Sequence, residues 1–330
     1  MTTDFPFDEH LRFVAADDEL HEPGPQRDWT ETTWWSFAVP ERSLAGWLYV
    51  QVRPNAGSSS GGAFVYDAAG WLPWELPYYG FLTHQPLPEP LDLRAVTFSN
   101  GVSVRMVEPG MVYDLGYRFR DQDDFVADLR FEGISPPVPH LEGAPPFTGS
   151  SHYDQHGRVT GELQLLGERL PVDCLSVRDR SWGRRPELLG RRTRFSYCFG
   201  AVSPDEAFLA FCRPPTHLDE TEELLSGYLV RDRRLRRLAR ARRANERDDG
   251  TDGVAHIVLD AVDTDGRELH ATADAVSRMA LSGSGGGLTV NTMLRWTVAG
   301  AGTGWGEDQE VWSLPARREH GAVARAGRAT

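Results

Sequence analysis

From residue 34 to residue 314 the chain is broken into short aromatic and β-branched runs that stop at turn signals, a pattern that leaves little room for helices. Trp34 to Pro54 (WWSFAVPERSLAGWLYVQVRP) sets two such runs around Pro40-Glu41-Arg42-Ser43 and reads as a β-hairpin. Runs at Ala63–Tyr66, Leu93–Phe98, Val102–Val107, Met111–Phe119 and Phe125–Phe131 follow, separated by breaks such as Ser99-Asn100-Gly101 and Pro109-Gly110. Val159–Leu166 and Leu170–Arg178 form a second hairpin around Gly167-Glu168. Phe195–Phe199 and Ala207–Cys212 form a third, around Ser203-Pro204-Asp205-Glu206. The first and third hairpins both end in Arg-Pro (Arg53-Pro54, Arg213-Pro214), a short echo that suggests two related β units in tandem. Further strands are expected up to Glu310–Leu314.

The chain is therefore expected to be all-β and antiparallel. Residues 1–30 read as a polar N-terminal arm, 31–147 as a first β domain and 148–314 as a second. The proline cluster Ile134 to Phe147 (ISPPVPHLEGAPPF) reads as the connection, and residues 315–330 as a disordered tail.

Charge narrows the function. Asp and Glu number 48 against 35 Lys and Arg, a net charge of -13, and every one of those cations is an arginine. That balance argues against a general nucleic-acid binder, whose footprint is a basic surface. The three cysteines (Cys174, Cys198, Cys212) show no CxxC spacing and read as buried thiols in a reducing compartment. The start, MTTDFPFDEH, has no apolar h-region, and no window approaches the length of a membrane span, so a cytoplasmic protein without an integral membrane segment is expected.

Chemistry concentrates in Val177 to Glu187 (VRDRSWGRRPE), where Asp179 and Glu187 are acid–base candidates among four arginines. Read as a strand, Arg178, Arg180 and Trp182 face one way and Val177, Asp179 and Ser181 the other. Gly183 is expected to turn the backbone sharply and Pro186 to stop the element. A carboxyl in an apolar pocket has a raised pKa and keeps its proton near neutral pH, which fits Asp179 as a general acid or the anchor of one. Trp182 would offer a π face to a developing carbocation. The competing reading is structural: Asp179 pairs with Arg178 or Arg184, and the tryptophan closes a barrel end.

The run HGRVTGELQLLGERLPVDCLSVRDRSWGRRP resembles an RDxSWG signature of an actinobacterial and proteobacterial family in the carotenoid 1,2-hydratase/AttH-like group. The likeness extends through WWSFAVPERSLAGWLYVQVRPN and GWGEDQEVW. It implies two tandem lipocalin-like β-barrels. It also implies a hydrophobic small-molecule site of isoprenoid, steroid or polyketide type, with no cofactor. On that footing Arg178, Ser181, Trp182 and Arg184 would line the substrate, as would Trp34, Trp305 and Glu307. Acid-assisted hydration, dehydration or isomerisation is the implied chemistry, and a non-catalytic lipid or terpenoid carrier is the alternative.

Other clusters are weaker. Tyr153 and Asp154 would make an acid–base pair at a barrel mouth, although His152 to His156 reads as a surface loop. The His152/His156 spacing suits a metal only on a helix, so no metal is expected. Trp305 to Glu310 (WGEDQE) reads as a solvated turn with an acidic rim, or, if the last strand closes the barrel, as a carboxylate near Asp179. The Gly-rich runs at 282–287 and 300–306 lack nucleotide-loop spacing. Arg231 to Arg247 (RDRRLRRLARARRANER) reads as a solvated hairpin arm paired with acidic residues, with an anionic surface as the alternative partner.

Overall fold

The computed structural model describes residues 13–120, 122–140, 146–186, 188–282 and 286–328. Glu187, the middle of the 282–287 run and residues 1–12 of the expected arm lie outside them. The chain divides into two units, one of residues 1–69 and 74–185, the other of residues 70–73 and 186–330.

The first unit is a single antiparallel sheet. In chain order its strands are β1 (Trp29–Val39), β2 (Leu44–Arg53), β3 (Ser58–Tyr66), β4 (Tyr78–Pro86), β5 (Ala95–Thr97), β6 (Val102–Glu108), β7 (Val112–Phe119), β8 (Gln122–Gly133), β9 (Val138–Pro139), β10 (Ser150–Leu165) and β11 (Glu168–Arg184). The spatial order is β4-β3-β2-β1-β11-β10-β8-β7-β6-β5, with β9 on β10. The first expected hairpin is β1–β2, turning at Pro40–Arg42 with Ser43 left-handed, and the second is β10–β11.

Three expectations change here. The long hairpin β10–β11 completes the first sheet, because β11 pairs with β1 and β10 with β8. The boundary therefore falls after Arg185, not at 147, and the proline cluster is an internal connection of the first unit. The described part of the polar arm enters the core: one 3-10 turn at Ala15–Asp18 sends Asp18 into the sheet's interior, where it is 2% exposed. Gly183 does not turn the chain. It continues β11 between Thr30 and Ser150 at φ 126, and an added Cβ would lie 2.8 Å from Ser150 Cα, so only glycine fits.

One face of this sheet carries the apolar core, including Trp35, Leu48, Val50, Val65, Phe131, Leu163 and Val172. The other face is also buried along β1, where Thr30 to Phe37 are all covered. Continuous burial replaces the usual half-buried alternation, which is why Trp34 and Trp35 are adjacent and both inaccessible.

The second unit is a closed barrel of β12 (Arg194–Ser203), β13 (Glu206–Arg213), β14 (Thr221–Arg231), β15 (Arg234–Arg247), β16 (Val254–Asp263), β17 (Glu268–Leu281), β18 (Gly287–Val298) and β19 (Gly302–Ser313). Eight strands leave an interior that side chains can fill. Phe208, Leu259, Leu269, Leu294 and Trp296 fill part of it. The rest is ionic. Arg243 pairs with Glu222 at 2.8 Å and Asp308 at 2.7 Å, and Arg247 pairs with Glu310 at 2.5 Å. The arginine tract is thus a barrel strand whose Arg243 and Arg247 turn inward, not a solvated arm. Its outward arginines do meet acids, as Arg236 does Asp265.

The expected tail is the helix α1 (Leu314–Arg328). Ala316 and His320, one turn apart, are buried, and His320 packs edge-on against Trp312 at 5.0 Å. Docking, rather than propensity, supports a helix this short. No helix among the described residues is long and apolar enough to cross a membrane.

Candidate active site

Strand β11 separates two clusters by parity. Its Arg178, Arg180 and Trp182 face the apolar interior with their partners Gln155, Tyr153, Trp35, Thr33 and Glu31. Arg178 is 1% exposed and donates to Asp18 Oδ1 at 2.9 Å, Gln155 Oε1 at 2.6 Å and Tyr153 Oη at 2.9 Å. Its guanidinium also lies 4.3 Å from the Tyr113 ring centroid and 5.2 Å from that of Trp35. Burial pushes the Asp18 carboxyl up, but the Arg178 charge and bonds from Arg178, Tyr113 and Tyr153 outweigh it and hold Asp18 below the ordinary carboxylate value. Arg180 binds Glu31 at 2.5 Å, and Trp182 stacks on His21 at 4.1 Å.

The void beside this network, between Asp18, Trp35, Leu93, Met106, Arg178 and Arg180, encloses about 260 Å³ including its open mouth. The interior beside it is taken up by the buried ion pairs Arg178–Asp18 and Arg180–Glu31 and the rings around them. Arg178 and Trp182 therefore belong to packing, and Tyr153, hydrogen-bonded to Asp18, stands on the opposite face from Asp154 and is not its acid–base partner.

The other face of β11 carries Asp179 and Ser181. Asp179 lies opposite Asp154 on β10 and Trp34 on β1, and Ser181 lies opposite His152 and Thr32. His152 Nε2 is 3.1 Å from Asp154 Oδ1, and ligand-type atoms of His152, Asp154 and Asp179 all fall within 4.8 Å of one another. The segment expected as a surface loop is thus a buried strand. The expectation that His152 and His156 could share a site only on a helix does not hold on this strand, since even-spaced positions share a face. This spacing could cradle a cation, but Arg185 already supplies positive charge there: it acts on both Asp179 and His152.

Electrostatics divides the two groups. Burial pushes the half-buried Asp179 carboxyl up to about 7, with Asp154 adding to the rise and His152, Arg185 and Arg178 opposing it. Burial pushes His152 down to about 4, against the pull of Asp179. Near neutral pH the site therefore holds a partly protonated acid beside a neutral imidazole, a poised donor and acceptor. Ser181 Oγ shares a proton with Thr32 Oγ1 at 2.7 Å and accepts from Arg185 Nη2 at 2.9 Å. Around the carboxyl the same face is aromatic. Trp34 pairs across to Tyr49, and Trp47 across to Phe64. Trp34 meets Trp47 edge-on at 5.2 Å.

The structure brings together Asp179, Asp154, Ser181 and Trp34, and adds His152, Tyr49 and Arg185, which the sequence reading did not assign. Of the remaining candidates, one belongs to the first unit and two to the second. Arg184 is exposed and binds Asp28 at 3.0 Å. Trp305 and Glu307 lie on β19 of the barrel, where Glu307 is buried between Phe199 and Met293 in strand register, not on a solvated turn.

The profile of the family described as Domain of unknown function (DUF7064) matches residues 14–311. No curated protein is significantly similar in sequence. Among solved structures, kievitone hydratase from Nectria haematococca is similar at TM-score 0.56 and 11% identity, covering 94% of this chain and 95% of that one. A Nitrosomonas europaea protein assigned to AttH is similar at TM-score 0.54 and 16% identity, with coverage of 86% and 91%. CghA, solved with Sch210972, is similar at TM-score 0.53 and 13% identity, with coverage of 87% and 89%. At such identities the likeness establishes the fold, a double lipocalin-like arrangement.

Proposed function

Since the chain belongs to the DUF7064 family, whose description names no reaction, we propose from the site itself that the protein is a hydratase, dehydratase or isomerase of an apolar, isoprenoid- or polyketide-like molecule. The observation that carries this reading is a carboxyl held near pKa 7 beside a neutral histidine on an aromatic face. In hydration, the Asp179 O–H bond breaks and its proton forms a C–H bond at one alkene carbon. The neighbouring carbon becomes electron-poor against the rings of Trp34 and Trp47, whose faces favour positive charge. Water oxygen bonds to that carbon and its released proton passes to His152, which returns it to the Asp179 carboxylate. Dehydration is the reverse. In isomerisation His152 removes a carbon proton instead of a water proton. That two of the structural neighbours are a hydratase and a protein solved with Sch210972 supports the reading.

The test is mass spectrometry of isoprenoid, steroid and fatty acyl compounds incubated with the protein in ¹⁸O-labelled water. Protein-dependent uptake of label, or a product of unchanged mass and new retention time, is expected. Both should vanish in Asp179→Asn. A compound retained on the protein without conversion would favour the carrier, and turnover surviving in Asp179→Asn would remove Asp179 from the mechanism.

A further inference from the structure

Arg185 is the first residue beyond β11, and its position is fixed from two sides. Its backbone N–H donates to Asp28 O at 3.0 Å. Its side chain folds back over the strand, so that Nη2 donates to Ser181 Oγ at 2.9 Å and the guanidinium also bonds the hydroxyl of half-buried Tyr49. This brings the charge onto the face that carries Asp179. Among the described residues, however, no carboxylate ion-pairs with it. The contrast with its neighbour is sharp, since exposed Arg184 holds Asp28. The contrast with the interior is sharper, since buried Arg178 and Arg180 each hold a carboxylate.

A half-buried guanidinium whose bonds among the described residues go to hydroxyls retains unused donors, and its planar fork matches a carboxylate bidentately. Asp179 does not fill that role: it is partly protonated, and no ion pair joins the two. The chemistry proposed above sharpens the point. A bare cation beside an electron-poor carbon would raise the barrier, whereas an anion on the substrate would neutralise it.

We propose that Arg185, oriented by Ser181 and Tyr49, binds a carboxylate on the substrate, so that the protein acts on apolar acids rather than on neutral hydrocarbons or alcohols. The hydrocarbon skeleton would lie along Trp34 and Trp47, with its reacting carbon at Asp179. This rests on the proposed site but concerns binding, so the two readings can fail separately.

The probes are farnesoic acid and farnesol, which share one hydrocarbon skeleton and differ in the carboxylate. Their dissociation constants would be read from tryptophan quenching at pH 7.5. The full-length protein should bind the acid about ten-fold or more tightly than the alcohol, the worth of a charge-assisted hydrogen-bonded pair. Arg185→Gln should erase that preference while leaving the alcohol unchanged. Arg185→Lys, which keeps the charge without the fork, should retain part of it and guards against misfolding of the first variant. Asp179→Asn should keep the preference even as it loses turnover. Equal affinities in the wild type, failure of both probes to bind, or a preference that survives in Arg185→Gln would each overturn the assignment. Turnover that persists in Asp179→Asn would overturn only the acid role of Asp179.

Discussion

Replacing Asp18 by Ala tests whether the N-terminal arm is part of the fold. The carboxylate accepts from Gly110 N at 2.6 Å, from Arg178 Nη1 at 2.9 Å and from the hydroxyls of Tyr113 and Tyr153. Removing it leaves Arg178 at 1% exposure among aromatic rings, with Gln155 and Tyr153 as its remaining acceptors. Breaking a buried ion pair from one side costs about 3–5 kcal/mol, and contact with the rings recovers at most about 2 kcal/mol. The expected net loss is thus about 1–5 kcal/mol, read as a lower midpoint in guanidinium chloride with tryptophan fluorescence as the probe. The double variant Asp18→Ala/Arg178→Met should be more stable than the additive sum of its singles, because no buried charge is left uncompensated. The lowered pKa of Asp18 gives this term a sign. Its contribution is full above the ordinary value of 3.8 and is lost as pH falls through the lower folded value, so the wild type should converge on the variant in acid. A loss below about 1 kcal/mol, typical of surface pairs, or additive singles, would refute the reasoning.

Three further outcomes follow from the same geometry. If Asp179 acts as the acid, turnover needs its protonated form and should fall as pH rises through about 7, and Arg185→Gln, by removing an opposing charge, should move that limb upward; a limb that stays put in a pH–rate profile counts against it. His320 faces Glu220 Oε1 with Nε2 at 2.6 Å and Asp252 Oδ2 with Nδ1 at 3.4 Å, with Arg317 and Arg247 also near. Burial pulls its pKa down but the two carboxylates outweigh it, so the net shift is upward; hydrogen-exchange protection of α1 should be full below pH 6.5, weaken as pH rises through the folded value, and lose that dependence in His320→Gln. Arg243→Met leaves buried Asp308 without its 2.7 Å cation and Glu222 with Arg194 at 3.5 Å, and should cost about 3–5 kcal/mol in the barrel's unfolding free energy.

The hairpins were legible because turn residues and period-two runs are local signals. Gly167 sits in the left-handed region at the β10–β11 turn, and Ser43 does so at the β1–β2 turn. What alternation does not encode is the partner strand, so nothing local tells β11 to lie beside β1 rather than open a second domain. The arginine strand β15 misleads for a related reason. Arg243 and Arg247 read as solvated until Glu222, Asp308 and Glu310, distant in sequence, are placed beside them inside the barrel. In the candidate site, strand parity alone puts Asp179 and Ser181 on one face. His152 escapes the sequence because its polar segment reads as a surface loop until β10 is paired. Arg185 could not be told from Arg184 in a run of two, because only the fold shows one reaching Asp28 and the other folding back to Ser181.

Parity along β11 also explains why so charged a segment sits in the middle of a sheet. Residues 178, 180 and 182 bring cations and an indole to the interior, where Asp18, Glu31 and His21 from the arm and β1 satisfy them. Residues 179 and 181 face away, toward Thr32, Trp34, His152, Asp154 and the Arg185 guanidinium, and among the described residues Asp179 forms no ion pair. Rigid closure on one face holds the strand still, which a proton donor on the other face requires if it is to meet a bound carbon reproducibly. A one-residue slip would exchange the faces, placing Asp179 among Trp35, Tyr113 and Phe131 and Arg178 beside His152. The long register of β10 with β11, sixteen paired residues from Ser150 to Leu165, opposes that slip, as does Gly183, whose left-handed backbone marks one allowed position. Arg178 and Arg180 thus lie on the side of the strand opposite Asp179, the two cations fixing the geometry that the proposed acid would use.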